Sequence, residues 1–262
     1  TEYFWRVRSV NTGGVSAYSD AFSFTTLPDF STPTSELVAH WKMDESGGSV
    51  LEDASDYDNL ANISGNPTWI SGVFDNGLKF NGKNDYAVAQ DDNSLDLANA
   101  ITIAAWIRPE KRDTQYLVKK AEHNSVDGYE LSLASDGKLF FRFNQNSSGN
   151  TYRLNSLSSY PTNGSTWMHV AVTFDGSVMR IYIDGQLNSS KSFSSTPAIN
   201  INNLSVGIGA GSDGYRSIKG ALDDVRIYNI ALSSNAIGDL IELPPSLAET
   251  PLLSAPSNSA ED

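Results

Sequence analysis

Three Asp-Gly pairs constrain the fold class of this chain. They begin at residues 136, 175 and 184, and each lies between short runs rich in β-branched and aromatic residues. Asp-Gly is a preferred centre of tight β-hairpin turns because both residues tolerate a positive φ. Runs of this composition favour extended strands. The pattern therefore predicts antiparallel strands joined by short turns.

Helix is nearly absent from the predicted structure. The one convincing helix, at 233–240, opens on a serine suited to N-capping. Many short strands with regular turns predict an all-β fold, a two-sheet antiparallel jelly-roll sandwich. The clearest predicted strands are 101–107, 167–174, 178–183 and 221–228.

The charge of the chain excludes several partners. A formal net charge of −13 repels nucleic acid and anionic membrane surfaces. No apolar run approaches the length of a transmembrane helix, so no membrane insertion is expected. Residues 108–153 are the exception to the acidic balance, with eight basic and six acidic residues. The absence of cysteine excludes disulfides and thiolate metal sites.

The two ends of the chain differ from its body. The sequence YFWRVRSVN at 3–11, with AFSFTT at 21–26, resembles the last two strands of a fibronectin type III domain. Proline-containing segments at 27–36 and 243–262 are predicted linkers. PLLSAP at 251–256 resembles the first strand of a following domain. We therefore expect a slice of a modular array: a fragment at 1–26, a linker, a jelly roll at 37–242 and the start of another module.

The body contains a series of motifs in a characteristic order. They are VAHWKMDESG at 38–47, DAS at 53–55, GLKFNG at 77–82 with DY at 85–86, ITIAAWIRP at 101–109, WMHVA at 167–171, IDG at 183–185 and GALDDVRIYNIALS at 220–233. Together they resemble the laminin G-like, concanavalin A-like jelly-roll family. The resemblance implies two curved antiparallel sheets, a structural calcium near the chain ends, and glycan or protein binding in extracellular modular proteins.

Two adjacent carboxylates open the last predicted strand. In a regular strand, alternation places Asp223 on one face with Val225 and Ile227, and Asp224 on the other face with Arg226. An ionised carboxylate on an apolar face is costly unless it is paired or bound to a metal. We therefore expect Asp223 to be buried and Asp224 to form a solvated ion pair with Arg226.

A single structural calcium ion is the metal that these acids favour. Residues 44–62 are rich in Asp, Glu and Asn, and in the family that the chain resembles the first and last strands are adjacent. Asp53 and Asp223 are the main predicted ligands, Asp44 is a further candidate, and loop carbonyls would complete the coordination. The alternative is that these acids hydrogen-bond to turn amides in a solvated loop.

Catalysis is not expected from this domain. A retaining glycosidase needs two carboxylates about 5 Å apart, and no predicted strand carries acids at i and i+2 or i+4. Alternation also directs Asp223 and Asp224 to opposite faces. His40 and His169 lie within predicted strands and are interpreted as hydrogen-bonded sheet residues. The domain is therefore predicted to be no enzyme, and any catalytic domain of the parent protein is expected elsewhere in it.

Sugar recognition requires an exposed aromatic ring surrounded by polar groups. For each candidate the alternative is an ordinary surface residue. Arg142 and Arg153 belong to the positive section, which favours a carboxylated or sulfated glycan. The candidate ligand-binding residues are Trp69, Tyr116, His123, Tyr129, Arg142, Asn144, Tyr152, Arg153 and Tyr215.

Two functions therefore remain after sequence analysis. The first is a non-catalytic carbohydrate-binding module of a secreted multimodular bacterial protein, which directs a polysaccharide-degrading enzyme to its glycan. The alternative is an adhesin or structural spacer that binds protein or no ligand. In either case we expect a secreted or cell-surface location and a monomer within a modular chain.

Overall fold

A computed structural model describes residues 2–25 and 36–241. Contacts divide the chain into two compact units, Thr1–Pro33 and Thr34–Asp262. The fibronectin-like identity of the first unit stays a prediction, and the predicted linkers lie outside the described residues apart from Glu36. In the first unit β1 pairs with β4, and β2 with β3, all antiparallel. These strands are β1 (Glu2–Trp5), β2 (Val10–Asn11), β3 (Gly14–Val15) and β4 (Phe22–Thr25).

The second unit contains the remaining strands and little helix. Its first strands are β5 (Leu37–Trp41), β6 (Val50–Leu51), β7 (Ala61–Ser64), β8 (Thr68–Ser71), β9 (Asn76–Asn81), β10 (Tyr86–Ala89), β11 (Ile101–Pro109) and β12 (Gln115–Glu122). The others are β13 (Val126–Leu133), β14 (Lys138–Phe143), β15 (Arg153–Ser159), β16 (Met168–Phe174), β17 (Val178–Ile183), β18 (Gln186–Ser192), β19 (Val206–Ile208) and β20 (Lys219–Tyr228). The helical segments are a 3-10 turn (Asn93–Leu95), α1 (Gln145–Ser148) and α2 (Ser234–Asp239).

These strands form two antiparallel sheets. Sheet I has the order β18-β17-β16-β11-β20-β9-β8. Strand β9 pairs with the first half of β20, and β5 pairs with the second half. Sheet II has the order β15-β14-β13-β12-β19-β10-β7-β6. The Asp-Gly pairs occupy the β13–β14, β16–β17 and β17–β18 turns. The predicted all-β jelly-roll sandwich is therefore confirmed.

The core lies between the two sheets. Trp41 and Phe80, from strands of sheet I, pack in one buried cluster with Phe141 of sheet II. A smaller cluster covers the opposite, outer face of sheet I, where Ile237 of α2 packs. Ser233 caps α2 by accepting a hydrogen bond from the Ala236 amide at 3.2 Å, which confirms the predicted helix start. No helix in the described part of the chain is long and apolar enough to cross a membrane.

A β-bulge interrupts β20 at the two carboxylates. Ala104 pairs with Arg226 but Trp106 pairs with Asp223, so Asp224 and Val225 share one partner position. Asp224 has a φ of 51°, which accommodates the extra residue. Regular alternation is therefore wrong here.

The bulge changes what each carboxylate faces. Leu222, Val225 and Ile227 contact the main core, whereas Asp223 lies on the outer face of sheet I. Asp223 is buried, as predicted. Asp224 pairs with Arg226 but is only 4% exposed, so the prediction of a solvated ion pair is wrong.

A second bulge shapes the outer face of sheet II. Tyr116 pairs with Ser132 and Val118 pairs with Leu131, which leaves Leu117 as the extra residue of β12. Leu117 and Val118 both contact the core. Tyr116 and Lys119 therefore both lie on the outer face, although they are three residues apart. This arrangement gives sheet II a polar outer surface.

Candidate functional site

A row of charged side chains crosses the outer face of sheet II. Strand register aligns Lys119, Glu130, Arg142 and Arg153 on the adjacent strands β12 to β15. Lys119 Nζ donates to Glu130 Oε2 at 2.6 Å, and Arg142 Nε donates to Glu130 Oε1 at 2.6 Å. All three of these side chains are buried. Glu130 therefore holds two cations in place and is itself fully engaged.

Two further arginines have donors left over. The Arg153 guanidinium carbon lies 3.8 Å from the centroid of the Phe140 ring, and Nε donates to Asn155 Oδ1 at 2.8 Å. Burial, followed by the nearby charge of Arg142, lowers the pKa of Arg153. Arg216 Nε is buried without a hydrogen-bond partner among the described residues. Within the same part of the chain, neither Arg153 nor Arg216 forms an ion pair with a carboxylate.

Two grooves open on this surface. The arginine groove, of about 290 Å³, contains Arg142, Arg153 and Arg216. The tyrosine groove, of about 460 Å³, contains Tyr215. The other residues lining the arginine groove are Thr114, Tyr116, His123, Ala134, Ser135, Asp136 and Phe140. The other residues lining the tyrosine groove are Tyr116, Lys119, Ala121, Glu122, His123, Leu204, Gly211, Ser212 and Asp213.

Tyr116 lies where the two grooves meet. Lys119 Nζ sits 4.1 Å from the centroid of its ring, and the edge of Tyr215 approaches it at a centroid distance of 6.3 Å. Burial raises the pKa of Tyr116 to about 12, so its phenol stays protonated at neutral pH. Tyr215 is 52% exposed and presents a ring that can stack on a sugar.

The backbone at Arg216 is strained. Eight non-glycine residues in the described ranges have a positive φ, and six of them are Asp or Asn, which tolerate it. The other two are Met43, with φ 62°, and Arg216, with φ 56°. Such strain in an ordinary residue costs on the order of 1 kcal/mol and is typical of functional sites.

The structure brings together five of the predicted ligand-binding residues. Tyr116, His123, Arg142, Arg153 and Tyr215 all line the grooves. Sequence reasoning missed Lys119, Phe140 and Arg216. Arg216 directly follows a predicted residue, so the loop itself indicated it. Nothing in the sequence placed Lys119 on the same face as Tyr116.

The other four predicted ligand-binding residues do not line the grooves, and burial corrects the expectation of ligand contact for two of them, Tyr129 and Asn144. Tyr129 is 2% exposed, and its hydroxyl donates to the carbonyl oxygen of Leu95 at 3.1 Å. Tyr152 stacks on Phe143 at a centroid distance of 4.8 Å and packs against the core. Trp69 also packs against the core, from β8.

Asn144 has a structural role. It is buried, its Nδ2 donates to the carbonyl oxygen of Ala198 at 2.8 Å, and its Oδ1 accepts from the Asn200 amide at 2.9 Å. These bonds fix the 198–200 loop against the end of β14. Both polar atoms of this side chain are therefore engaged inside the fold.

A second polar site surrounds Asp223 on the outer face of sheet I. Asp223 Oδ2 accepts hydrogen bonds from the amides of Val73 at 2.6 Å and Phe74 at 3.0 Å. Its Oδ1 is buried without a hydrogen-bond partner in the described ranges. Burial raises the pKa of Asp223 to about 7, and the charges of Asp224 and Asp44 add to this rise.

Asp44 belongs to the same site. Its Oδ1 accepts from the Asn76 amide at 3.3 Å, and its carbonyl oxygen accepts from Asn76 Nδ2 at 3.0 Å. Burial, and then the charge of Asp75, raises the pKa of Asp44. The strained residue Met43 immediately precedes it.

The surroundings of Asp223 offer one feature that a calcium ion would satisfy. Calcium takes oxygen ligands, and the orphaned Oδ1 beside a second carboxylate with a raised pKa is the arrangement that a cation relieves. In the part of the chain that the structure describes, no three or more His, Cys, Asp or Glu residues are grouped to hold a metal. A calcium ion here would therefore use Asp223 and Asp44 together with backbone carbonyl oxygens.

Asp53 is arranged differently. Its Oδ1 accepts from the amides of His40 at 2.7 Å and Ser55 at 2.9 Å. Its Oδ2 accepts from Ser55 Oγ at 2.6 Å and from the Asn59 amide at 2.8 Å. These four bonds match the alternative interpretation, in which the carboxylate organises a loop. Asp53 therefore has a structural use that needs no metal.

Asp224 is a compensated buried anion. His40 Nε2 lies 2.6 Å from Asp224 Oδ1, and Arg226 Nη2 lies 2.9 Å from Oδ2. Burial opposes ionisation of Asp224, but the hydrogen bond from His40 and the charge of Arg226 outweigh it, so the pKa is lowered. Unlike Asp223, this carboxylate has protein partners for both oxygens.

Comparison with known proteins identifies the family. Residues 81–238, more than half of the chain, match the model described as the concanavalin A-like lectin/glucanases superfamily. The chain belongs to this superfamily. A curated relative with a similar segment is adhesion G-protein coupled receptor V1 of Danio rerio, 23% identical over 153 residues. That match covers 56% of this chain and 2% of the receptor.

Solved structures of binding domains share this concanavalin A-like fold. The binding domain of Paraclostridial Mosquitocidal Protein 1 matches with a TM-score of 0.64 and 20% identity over 79% of this chain and 52% of that one. Domain 4 of AbnA, an extracellular arabinanase from Geobacillus stearothermophilus, was solved in complex with arabinotriose. It matches with a TM-score of 0.61 and 21% identity over 79% of this chain and 98% of that one. At these identities the likeness shows the fold alone.

Proposed function

We propose that the jelly roll is a non-catalytic carbohydrate-binding module whose ligand lies along the two grooves of sheet II. The observation that carries this proposal is the exposed ring of Tyr215 at the junction with Tyr116, next to grooves lined by arginine, lysine and carboxylate groups. A ring face for the apolar side of a sugar, with charged groups for its hydroxyls, is the chemistry of lectin sites. The arabinotriose complex of AbnA domain 4 supports the same use of this fold.

The chemistry of the grooves argues against a hydrolytic site. A general acid needs a carboxyl group whose pKa is raised toward neutrality. The described carboxylates with raised pKa values, Asp44 and Asp223, lie beside sheet I and away from the grooves. Glu130, beneath the grooves, accepts hydrogen bonds from Lys119 and Arg142.

We further propose that one calcium ion stabilises the module at Asp223 and Asp44. When bound, the ion would supply positive charge to Asp223 Oδ1, which has no protein donor in the described ranges. Its role would be structural: the site joins β20 to the loops that follow β5 and β8. We propose a secreted or cell-surface multimodular protein as its setting, because domain 4 of AbnA, which shares this fold, comes from an extracellular arabinanase.

Affinity electrophoresis against a panel of neutral and acidic polysaccharides tests the carbohydrate proposal. The wild-type chain should be retarded by at least one polymer, and Tyr215→Ala should weaken that binding about tenfold. Tyr57→Ala is the control, because Tyr57 is also partly exposed, at 39%, but lines neither groove. If no polymer retards the chain, the adhesin or spacer alternative is favoured.

A further inference from the structure

The two grooves differ in charge. The arginine groove has three arginines and one carboxylate, Asp136, along its walls. The tyrosine groove has two carboxylates, Glu122 and Asp213, and one cation, Lys119. Because its three arginines outweigh Asp136 and the Glu130 carboxylate bonded to Arg142, the arginine groove keeps a net positive charge in a protein of formal charge −13.

The arginine groove has donors that the protein leaves unused. A guanidinium carries five N–H donors. Arg153 uses Nε on Asn155 and lies over Phe140, an arrangement that fixes the plane of its guanidinium. Arg216 also lines this groove, forms no ion pair with a described carboxylate and lies on a strained backbone. An anion with several acceptor oxygens would pair with both side chains.

The tyrosine groove suits a neutral sugar. Glu122 and Asp213 can accept hydrogen bonds from the hydroxyl groups of a sugar. Their negative charges would repel an anionic group on a sugar in this groove. Tyr215 supplies the stacking surface at the same place. The shared residues Tyr116 and His123 make the two grooves adjacent, so one oligosaccharide can occupy both.

We propose that the ligand is an acidic oligosaccharide that binds across both grooves. A carboxylate or sulfate ester on one sugar pairs with Arg153 and Arg216, and a neutral sugar stacks on Tyr215. This inference rests on the proposed carbohydrate-binding function and names the class of glycan that the site selects. The arrangement predicts discrimination against polymers with a charge on every sugar relative to those with spaced charges.

Matched pairs of polymers test this inference. The probes are half-esterified polygalacturonate, which carries spaced carboxylates, against its full methyl ester, half-esterified alginate against its full propylene glycol ester, and κ-carrageenan, which carries spaced sulfates, against neutral agarose. The acidic member of at least one pair should bind about tenfold more tightly than its neutral counterpart. The carboxylate and sulfate pairs separate the two sources of negative charge. Raising the ionic strength should weaken this preference, since salt screens exposed charges.

Variants of the full chain locate the effect. Arg153→Gln and Arg216→Gln should abolish most of the preference for the acidic polymer, and Arg153→Lys should retain part of it. Arg180→Gln is the control: it removes the same charge from sheet I, where Arg180 pairs with Asp175 at 2.7 Å. Tyr215→Ala should weaken binding of both members of a pair equally. Thermal melts establish that each variant is folded.

The outcomes separate the two proposals. Equal binding to both members of every pair, unchanged in the arginine variants, overturns the acidic-ligand inference and leaves carbohydrate binding intact. An acidic preference that survives in both arginine variants also overturns it. Binding to none of the polymers overturns the carbohydrate proposal and the inference together.

Discussion

Asp223 Oδ2 accepts a 2.6 Å hydrogen bond from the amide of Val73, while Asp223 Oδ1, in the same carboxylate, meets no donor among the described residues. One oxygen thus anchors the loop after β8, and the other is the atom that the proposed calcium ion would bind. A buried carboxylate in this state destabilises the fold when it is ionised and stabilises it when a calcium ion binds.

Calcium should therefore stabilise the wild-type chain and fail to stabilise Asp223→Asn. At ten times its dissociation constant, a bound ion adds about 1.4 kcal/mol, or roughly 4 °C in melting temperature. In chelator, Asp223→Asn should melt no lower than wild type, because the amide oxygen still accepts from Val73. Asp56→Asn, at an exposed loop acid, is the control. A wild-type melting temperature that ignores calcium, with no ion found by elemental analysis, would contradict the metal proposal.

Asp53→Ala should destabilise the chain equally with and without calcium. The substitution removes an acceptor from four hydrogen bonds in the loop, which costs about 3 kcal/mol. Urea unfolding in calcium and in chelator measures both values. If the loss of stability appears mainly in calcium, Asp53 is a metal ligand after all, as the sequence predicted.

Glu130→Ala should be strongly destabilising, because it leaves Lys119 and Arg142 buried without their shared counter-ion. Losing one partner of a buried ion pair costs about 3 to 5 kcal/mol. Glu122→Ala, at an exposed acid on the neighbouring strand, should change stability by about 0.5 kcal/mol or less. Chemical denaturation measures both variants. A loss for Glu130→Ala no larger than that of the control would mean that the two cations are solvated.

His169 should make the fold sensitive to mild acid. Burial lowers the pKa of His169 to about 4, below its unfolded value of 6.5. A lowered histidine pKa means that this stability is complete above pH 6.5 and is lost as the pH falls from 6.5 toward 4. By linkage, the loss at pH 5 is about 2 kcal/mol.

Comparison with His169→Gln isolates this effect, since the variant has no imidazole to titrate. The free energy of unfolding of each protein is measured in urea at pH 7.5 and pH 5. Between these two pH values wild type should lose more stability than the variant. If the stability difference between wild type and variant is the same at both pH values, His169 titrates equally in the folded and unfolded chain, and the prediction is wrong.

The sequence alone determined the architecture. Hairpin turns at the Asp-Gly pairs and the runs that became β11, β16, β17 and β20 follow from local conformational preference and period-2 burial. The N-cap of α2 at Ser233 is equally local. The excess of basic residues at 108–153, in an otherwise acidic sequence, also indicated Arg142 and Arg153.

Tertiary structure decided the sites, because both depend on β-bulges. An extra residue at Leu117 places Tyr116 and Lys119 on one face, and an extra residue at Asp224 separates Asp223 from Val225. A bulge reverses the alternation of every residue beyond it, and pairing with neighbouring strands fixes where it falls. Residues distant in sequence, such as Arg153 and Arg216, line one groove only through sheet register and a loop. Sequence patterns therefore predict the strands, whereas the pairing of strands within each sheet decides which side chains lie on each face.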